Sequence, residues 1–471
     1  MKVLFDQWTP DRSGLESNLI DAKNVIPTAA GYLPLNEAAD ISQAATENLL
    51  VSIPAKFGGT QYLFAAGPNK LYQFNPSSTA LEDRSRVTAY TTTDFWDHAV
   101  FGGVLIMANG KDKLQAWTLG SSAVFYDLDA AAPVAKYVTV VRDFVVAANT
   151  TTDPNKILWS DINDETNWTP GTGSQSDSQF IPDGGDIMGI TGGEFGIVLL
   201  ERSIYRMSYI GAPLFFQFDN ITRSLGCLSR GSIVQSGGFT YFLSDDGFYV
   251  CDGQTVKPIG NERVDRWFAD NVAPSLIQNI ASAIDPVNKV VIWSFSNTFA
   301  QTYLLIYNWA VDKWSYAQTT ADFVSTLATQ PVSVEGLDLY SASLDALPAS
   351  LDSRLWAGGQ IVLGGVRDAK IVTFSGDPLT AVLTTGDIDA GANSMIRLAR
   401  PLIDNGSANV SVASRQRLDG EITFSTPVSA SSENRVSLRS NGRFHRVSVT
   451  PTGAWAKAMG VEFEITPTGG R

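Results

Sequence analysis

A chain of 471 residues is long enough for one large repeat body and a smaller domain. It is 44% hydrophobic and 17% charged, with 40 Gly and 21 Pro, and it lacks long apolar runs of helical period, which excludes a helical bundle and predicts an all-β protein. A net charge of −14 argues against tight phosphate binding by the chain as a whole, and no 18-residue apolar run predicts a membrane span.

Residues 1–45 lack any repeat and read as an N-terminal arm. Met1-Lys2-Val3-Leu4-Phe5 runs straight into Asp6 and Gln7, unlike a secretory leader, so synthesis and folding in a cytoplasm are expected. Isolated apolar anchors follow at Trp8, Leu19, Val25, Ile26, Tyr32 and Leu35. They fit either an extended arm lying on neighbouring surfaces or a lead-in strand that closes a ring of blades.

Residues 46–376 repeat one unit. VTVVRDFVVAANTTTDPNKILWSD, IMGITGGEFGIVLLERSIYRMSYIG and IVQSGGFTYFLSDDGFYVCDG each hold two apolar strands around a tight turn, then a polar loop and a third strand with an aromatic. Taking Tyr72, Trp117, Trp159, Tyr205, Tyr249, Tyr307 and Phe374 as equivalent gives spacings of 45, 42, 46, 44, 58 and 67 residues. Spacings of about 40–50 residues belong to propeller blades, so a β-propeller of six or seven blades is predicted, with insertions or a missed blade near the end. Gly192-Gly193 and Gly237-Gly238 are expected in its hairpin turns.

Within this body, the polar stretch Ser160–Asp186 reads as a long exposed loop. Its Asp161, Asp164 and Glu165 are candidate interface residues, since loops of this length are usually functional. The same acids with Asn163 suggest calcium, but the spacing of a calcium loop is missing, so no cofactor or metal is assigned. Residues 261–274 predict a short helix, with Val264, Trp267 and Phe268 on one face and Pro274 as its stop. Cys227 and Cys251 read as buried free thiols. His98 and His445 lie too far apart in sequence for a clustered-imidazole site, and no nucleophile elbow, P-loop or zinc motif is present, so no enzyme is expected.

Residues 377–471 change texture to alternating strands and predict a separate C-terminal β-sandwich-like domain, needed for assembly but not for propeller folding. Arginines recur along it, and the region reads as locally basic. Arg435, Arg439 and Arg443 are the candidate interface here. They form either a solvated strand face or a surface that docks the acidic propeller of a neighbouring copy.

Taken together, the run from VRDFVV through KILWSDINDETNW and FIPDGGDIMGITGGEFGIVLLERSIYRMSYIG to SLGCLSRGSIVQSGGFTYFLSDDGFYV resembles the tail-hub or nozzle proteins of short-tailed bacteriophages. These are also called packaged-DNA stabilisation or head-completion proteins. The opening WTPD…AKNVIPTAAGYLPL and the close GRFHRVSVTPTGAWAKAMGVEFEI are similar to the same group. The resemblance implies a propeller protein that assembles as a homo-hexamer below the portal and adaptor. Such a ring continues the DNA channel, touching DNA only transiently, and carries fibre or spike attachment sites. It implies residence in the virion tail and supplies no catalytic residues. The competing reading is a glycan-binding or glycan-cleaving propeller, with Trp159, Trp168, Trp309 and Trp314 as sugar platforms.

Overall fold

A computed structural model describes residues 1–15, 18–329 and 361–468, with a few positions between 337 and 351. Six four-stranded sheets form separate blades, five of them contiguous in sequence: 51–83, 97–127, 135–180, 187–222 and 234–258. The sixth is built from Phe323–Ala328, Ile361–Arg367, Lys370–Thr373 and Ala39–Asp40. A seventh meander of the same form, Ala281–Thr319, stands between the last two, but its outer strand continues into a larger sheet.

The hairpin turns explain the repeat. Gly58, Gly102, Arg142 and Gly237 open two-residue turns with φ of 57°, 57°, 52° and 59°. Left-handed backbone at that position matches the twist of the flanking strands, which is why Gly-Gly recurs there. Gly192-Gly193 lies in the equivalent turn, as expected, and serves a second purpose. The Gly193 carbonyl accepts from Arg142 N at 2.7 Å, and its N–H donates to Val140 at 2.9 Å. Gln235 Nε2 then donates to the Gly192 carbonyl at 2.7 Å, so three consecutive blades are laced together. The third-strand aromatics fall in place: six lie on the third strand of their blade or meander, and Phe374 follows directly after one. The long spacings are insertions. One is the helix Asp265–Asn271 with the 3-10 turn Pro274–Asn279; the other lies between Ala328 and Ile361. In the latter, residues 355–360 of the expected last repeat lie outside the described residues.

The N-terminal segment divides. Ala39–Asp40 pairs with Val372–Thr373 and supplies the outer strand of the sixth blade, joining the start of the body to its end. Residues 2–34 belong elsewhere: Lys2–Leu4 pairs with Gly460–Glu462, and Leu19–Lys23 pairs with Val382–Thr385 while bridging to Tyr316. The hairpin Val25–Pro34 meets Ala458 through Tyr32.

These segments make a 14-stranded sheet with long strands at Ile388–Asp404, Val436–Thr452 and Lys457–Pro467. Asn308 Nδ2 and Ser315 Oγ reach back to the carbonyls of Pro27 and Val25, so the far end of the sheet returns onto the seventh meander. One apolar cluster fills the space between. Trp8, Leu19, Trp293, Trp314, Val436 and Phe463 belong to it, together with Phe248 of the fifth blade. The C-terminal strands and the propeller therefore share a core. A separate C-terminal domain was expected; in the structure these strands pack on the propeller through that core.

Candidate interaction surfaces

The C-terminal arginines do not form a uniform free face. Arg443 makes a two-pronged pair with Asp389, at 2.9 and 3.1 Å, which lowers the Asp389 pKa. Arg435 meets Glu433 at 3.2 Å, and Arg400 lies 4.0 and 3.7 Å from Glu462 and Glu464. Arg415 and Arg446 converge on Asp387, whose side chain is 3% exposed. Arg439 is exposed and makes no ion pair among the described residues. Between 377 and 471 there are ten Arg and Lys against nine Asp and Glu, so the region is nearly neutral rather than basic. Nine acids spaced singly along the strands balance the arginines that made the region read as basic.

The loop after Trp159 is organised by its own carboxylates. Asp161 Oδ1 accepts from the backbone N–H of Ile162 and Gln175, both at 2.8 Å, and Oδ2 accepts from Asn167 Nδ2. Asp164 takes the N–H and hydroxyl of Thr166, which lower its pKa. The Glu165 carbonyl accepts from Trp168 Nε1 at 2.7 Å. Asp164 closes an Asx-type turn on Thr166, and Asp161 ties the two ends of the loop together. Contrary to the reading of an unstructured loop, Asp177–Phe180 is the outer strand of the third blade. Among the described residues, no three His, Cys, Asp or Glu are grouped to hold a metal ion.

Other candidates resolve into packing. Trp159, Trp168 and Trp314 are 1%, 7% and 0% exposed, while Trp309 is partly buried, with its ring 6.4 Å from that of Tyr241. His445 is buried between Ser394 Oγ at 2.8 Å and Ser414 Oγ at 2.6 Å, and burial lowers its pKa. Cys227 and Cys251 are free and buried, and burial pushes the Cys227 thiol up to about 12. Arg142 and Arg206 lie over the rings of Tyr209 and Phe195, while Arg230 covers Phe95.

Two surfaces and one half-buried pair were not anticipated. The end of the propeller that carries the first hairpin turns exposes Phe57, Tyr126, Ile210, Leu214, Phe239 and Val287, spread over four blades and the seventh meander. An apolar residue beside a Gly-Gly turn reads in sequence as a strand end, so only the fold shows that these share a face. At the opposite end, a cleft of about 850 Å³ lies between the Ser244–Gly247 turn and the helix Asp265–Asn271. Asp11, Asp245, Asp246, Glu262 and Asp265 line it. Burial pushes Asp265 up to about 7, against the hydrogen bond it accepts from Phe248 N. The helix itself is capped by Asp11, which accepts from the N–H of Arg266 and Trp267 at 2.9 and 2.8 Å. Third, on the innermost strand of the second blade, Asp97 accepts from His98 N and Val138 N, both at 2.9 Å. Burial pushes Asp97 up to about 7 and His98 down to about 4.

No protein-family model matches the chain, and neither does any curated protein. Solved structures resemble it at the level of the propeller. YCF48 bound to a D1 peptide matches with 10% identity and a TM-score of 0.40, covering 73% of this chain and 98% of that one. The WD40 domain of Toxoplasma gondii coronin matches with 9% identity and a TM-score of 0.38, covering 75% and 87%. BamB from Moraxella catarrhalis matches with 11% identity and a TM-score of 0.28, covering 92% and 94%. No helix of the described residues is long and apolar enough to cross a membrane.

Proposed function

We propose that this chain is a structural virion protein, a ring-forming tail hub or nozzle of a short-tailed phage. In this reading, six copies continue the DNA exit channel below the portal and adaptor, help retain packaged DNA, and carry fibres or spikes. The observation that carries it is the pairing of the two ends on which the resemblance partly rests. Tyr32 of the opening segment pairs with Ala458 of the closing one, and just ahead of the opening segment Lys2–Leu4 pairs with Gly460–Glu462 of the same closing strand. Segments far apart in sequence that resemble one family are thus one structural unit on the flank of a propeller.

Charge supports the same reading. With the C-terminal region at +1, residues 1–376 carry 24 Lys and Arg against 39 Asp and Glu, so the negative charge lies on the propeller and the N-terminal segment. An acidic wall repels phosphate and lets DNA slide instead of sticking. The test is immunogold labelling of intact and of DNA-emptied virions with antibodies to this chain. Label confined to the tail vertex is expected in both, and label on the capsid shell or none at all contradicts the reading.

A further inference from the structure

The chain presents two unused strand edges, and they lie on opposite sides of one sheet. Across that sheet the strands run in the order Val428–Ser429, Ser407–Arg415, Val436–Thr452, Ile388–Asp404, Lys457–Pro467 and Lys2–Leu4. Phe444 marks the middle, paired with Arg415 on one side and Asp389 on the other.

At the first edge, Lys2–Leu4 uses only half of its backbone. Met1 exchanges hydrogen bonds with Phe463, and Phe5 N donates to Met459. Antiparallel alternation therefore turns the N–H and C=O of Lys2 and Leu4 away from the sheet, where they meet no partner among the described residues. A groove of about 700 Å³ runs beside them, with Val3, Phe5, Leu15 and Ile388 among its lining residues. Leu4 is 58% exposed at its rim. Asn18, 8% exposed, lines the same groove, and its Oδ1 is buried without a hydrogen-bond partner while Nδ2 is satisfied by Thr9. An orphaned buried acceptor beside an open strand edge is a place for an incoming N–H.

At the second edge, Glu421–Val428 has the alternation of a strand but pairs only at its last residue. Every residue from 421 to 429 is exposed, including Ile422 at 36% and Phe424 at 38%. Beyond the Ser425 N–H, which reaches Val412 O, the backbone of 421–424 makes no hydrogen bond among the described residues. Charges match across the two edges: Glu421 and Lys2 are both exposed, and neither has an ion pair among the described residues.

We propose that Glu421–Val428 of one copy adds as a strand to the free edge of Lys2–Leu4 in a second copy of this chain. Ile422 and Phe424 then cover the apolar part of the groove at Val3, Phe5 and Leu15, Glu421 meets Lys2, and an incoming backbone N–H satisfies Asn18. Because donor and acceptor edges are opposite sides of the same sheet, the contact is head-to-tail, the type that generates rings when the rotation closes. This inference rests on the ring-forming reading above and names the surface that would build it.

The full chain tests it in two ways. One measurement is mass by light scattering for the wild type, Leu4→Pro and Phe424→Asp. Proline at 4 removes only an outward N–H, and Phe424 lies in an exposed segment, so circular dichroism should be unchanged in both variants. The other is disulfide trapping between two singly substituted chains, Lys2→Cys and Thr423→Cys; the native thiols are buried. The expected result is a wild-type oligomer that weakens on the order of tenfold in both variants, with cross-links only in the mixed sample. An oligomer indifferent to both substitutions, with no mixed cross-link, overturns this contact and leaves the ring reading standing. A monomer at every concentration without cross-links overturns both. If Leu4→Pro fails to fold, Phe424→Asp and the cysteine pair decide the matter.

Discussion

Asp387 and Arg446 meet side-on, through parallel hydrogen bonds of 2.9 Å from Nε and 2.8 Å from Nη2 to the two carboxylate oxygens. Arg415 adds a third bond at 2.5 Å, and the Asp387 backbone N–H donates to Gly14. The pair thus ties the turn before Ile388 to the central strand Val436–Thr452 and to the N-terminal segment. Removing one partner of a buried pair leaves uncompensated charge, which is why Asp387→Asn is expected to destabilise by about 3–5 kcal/mol. Chemical denaturation of the full chain checks this; a loss below about 1 kcal/mol would mean that water already screens the site.

Asp97 and His98 are adjacent, and their linkage to stability has opposite sign. Asp97 titrates higher in the folded chain, so its contribution is present at acid pH and is lost as pH rises through about 7. His98 titrates lower in the folded chain, so its contribution is present above about 6.5 and is lost as pH falls through about 4. Between these limits the two slopes oppose one another. His98→Asn should therefore lose stability relative to wild type as pH rises across that window. The slope is at most about 1.4 kcal/mol per pH unit, less where the half-buried side chains keep solvent. Urea unfolding at several pH values reads the difference, and parallel curves would contradict it.

The two Gly-Gly turns should respond unequally to alanine. Gly237 has open space around it, so Gly237→Ala meets only its positive φ and should lose about 1 kcal/mol. At Gly192 a β-carbon would run into the Val140 carbonyl of the neighbouring blade. Gly192→Ala should be the more destabilising, and Gly237→Asn should be close to neutral because Asn tolerates the left-handed region. Thermal melts of the three variants rank them.

Truncation at Asp377 would remove Leu383, Val436, Val447 and Phe463 from a cluster that also holds Trp293 and Trp314 of the propeller's seventh meander. It would leave Leu19–Lys23 without the strand that pairs with it along its length. The truncated chain is expected to aggregate or to bind a hydrophobic dye. A soluble fragment with a cooperative melt would show instead that the propeller is complete at residue 376.

Much of the propeller was legible because a blade is a local object. Its turn chemistry, strand alternation and third-strand aromatic lie within one spacing of about 45 residues in the first five blades, and six of the seven aromatic anchors lie on a third strand. What was not legible is what the chain closes over long separations. Nothing near Trp8 announces that it stacks edge-on to Trp267 at 5.0 Å, and nothing near Asp11 announces that it caps a helix more than 250 residues away. The C-terminal arginines misled for a related reason. Alternation places a side chain on a face, but its partner is set by the neighbouring strand, as Asp389 is for Arg443. Ile422 and Phe424 read as an ordinary strand, and only the fold leaves that strand without a partner.

The most direct measurement of the ring-forming role is electron cryo-microscopy of the purified full chain, with its mass taken in the same buffer. A closed ring around an open axial channel, built from six copies of the 50.8 kDa chain, is the predicted result. Single chains at high concentration, or an open filament that never closes, would contradict it.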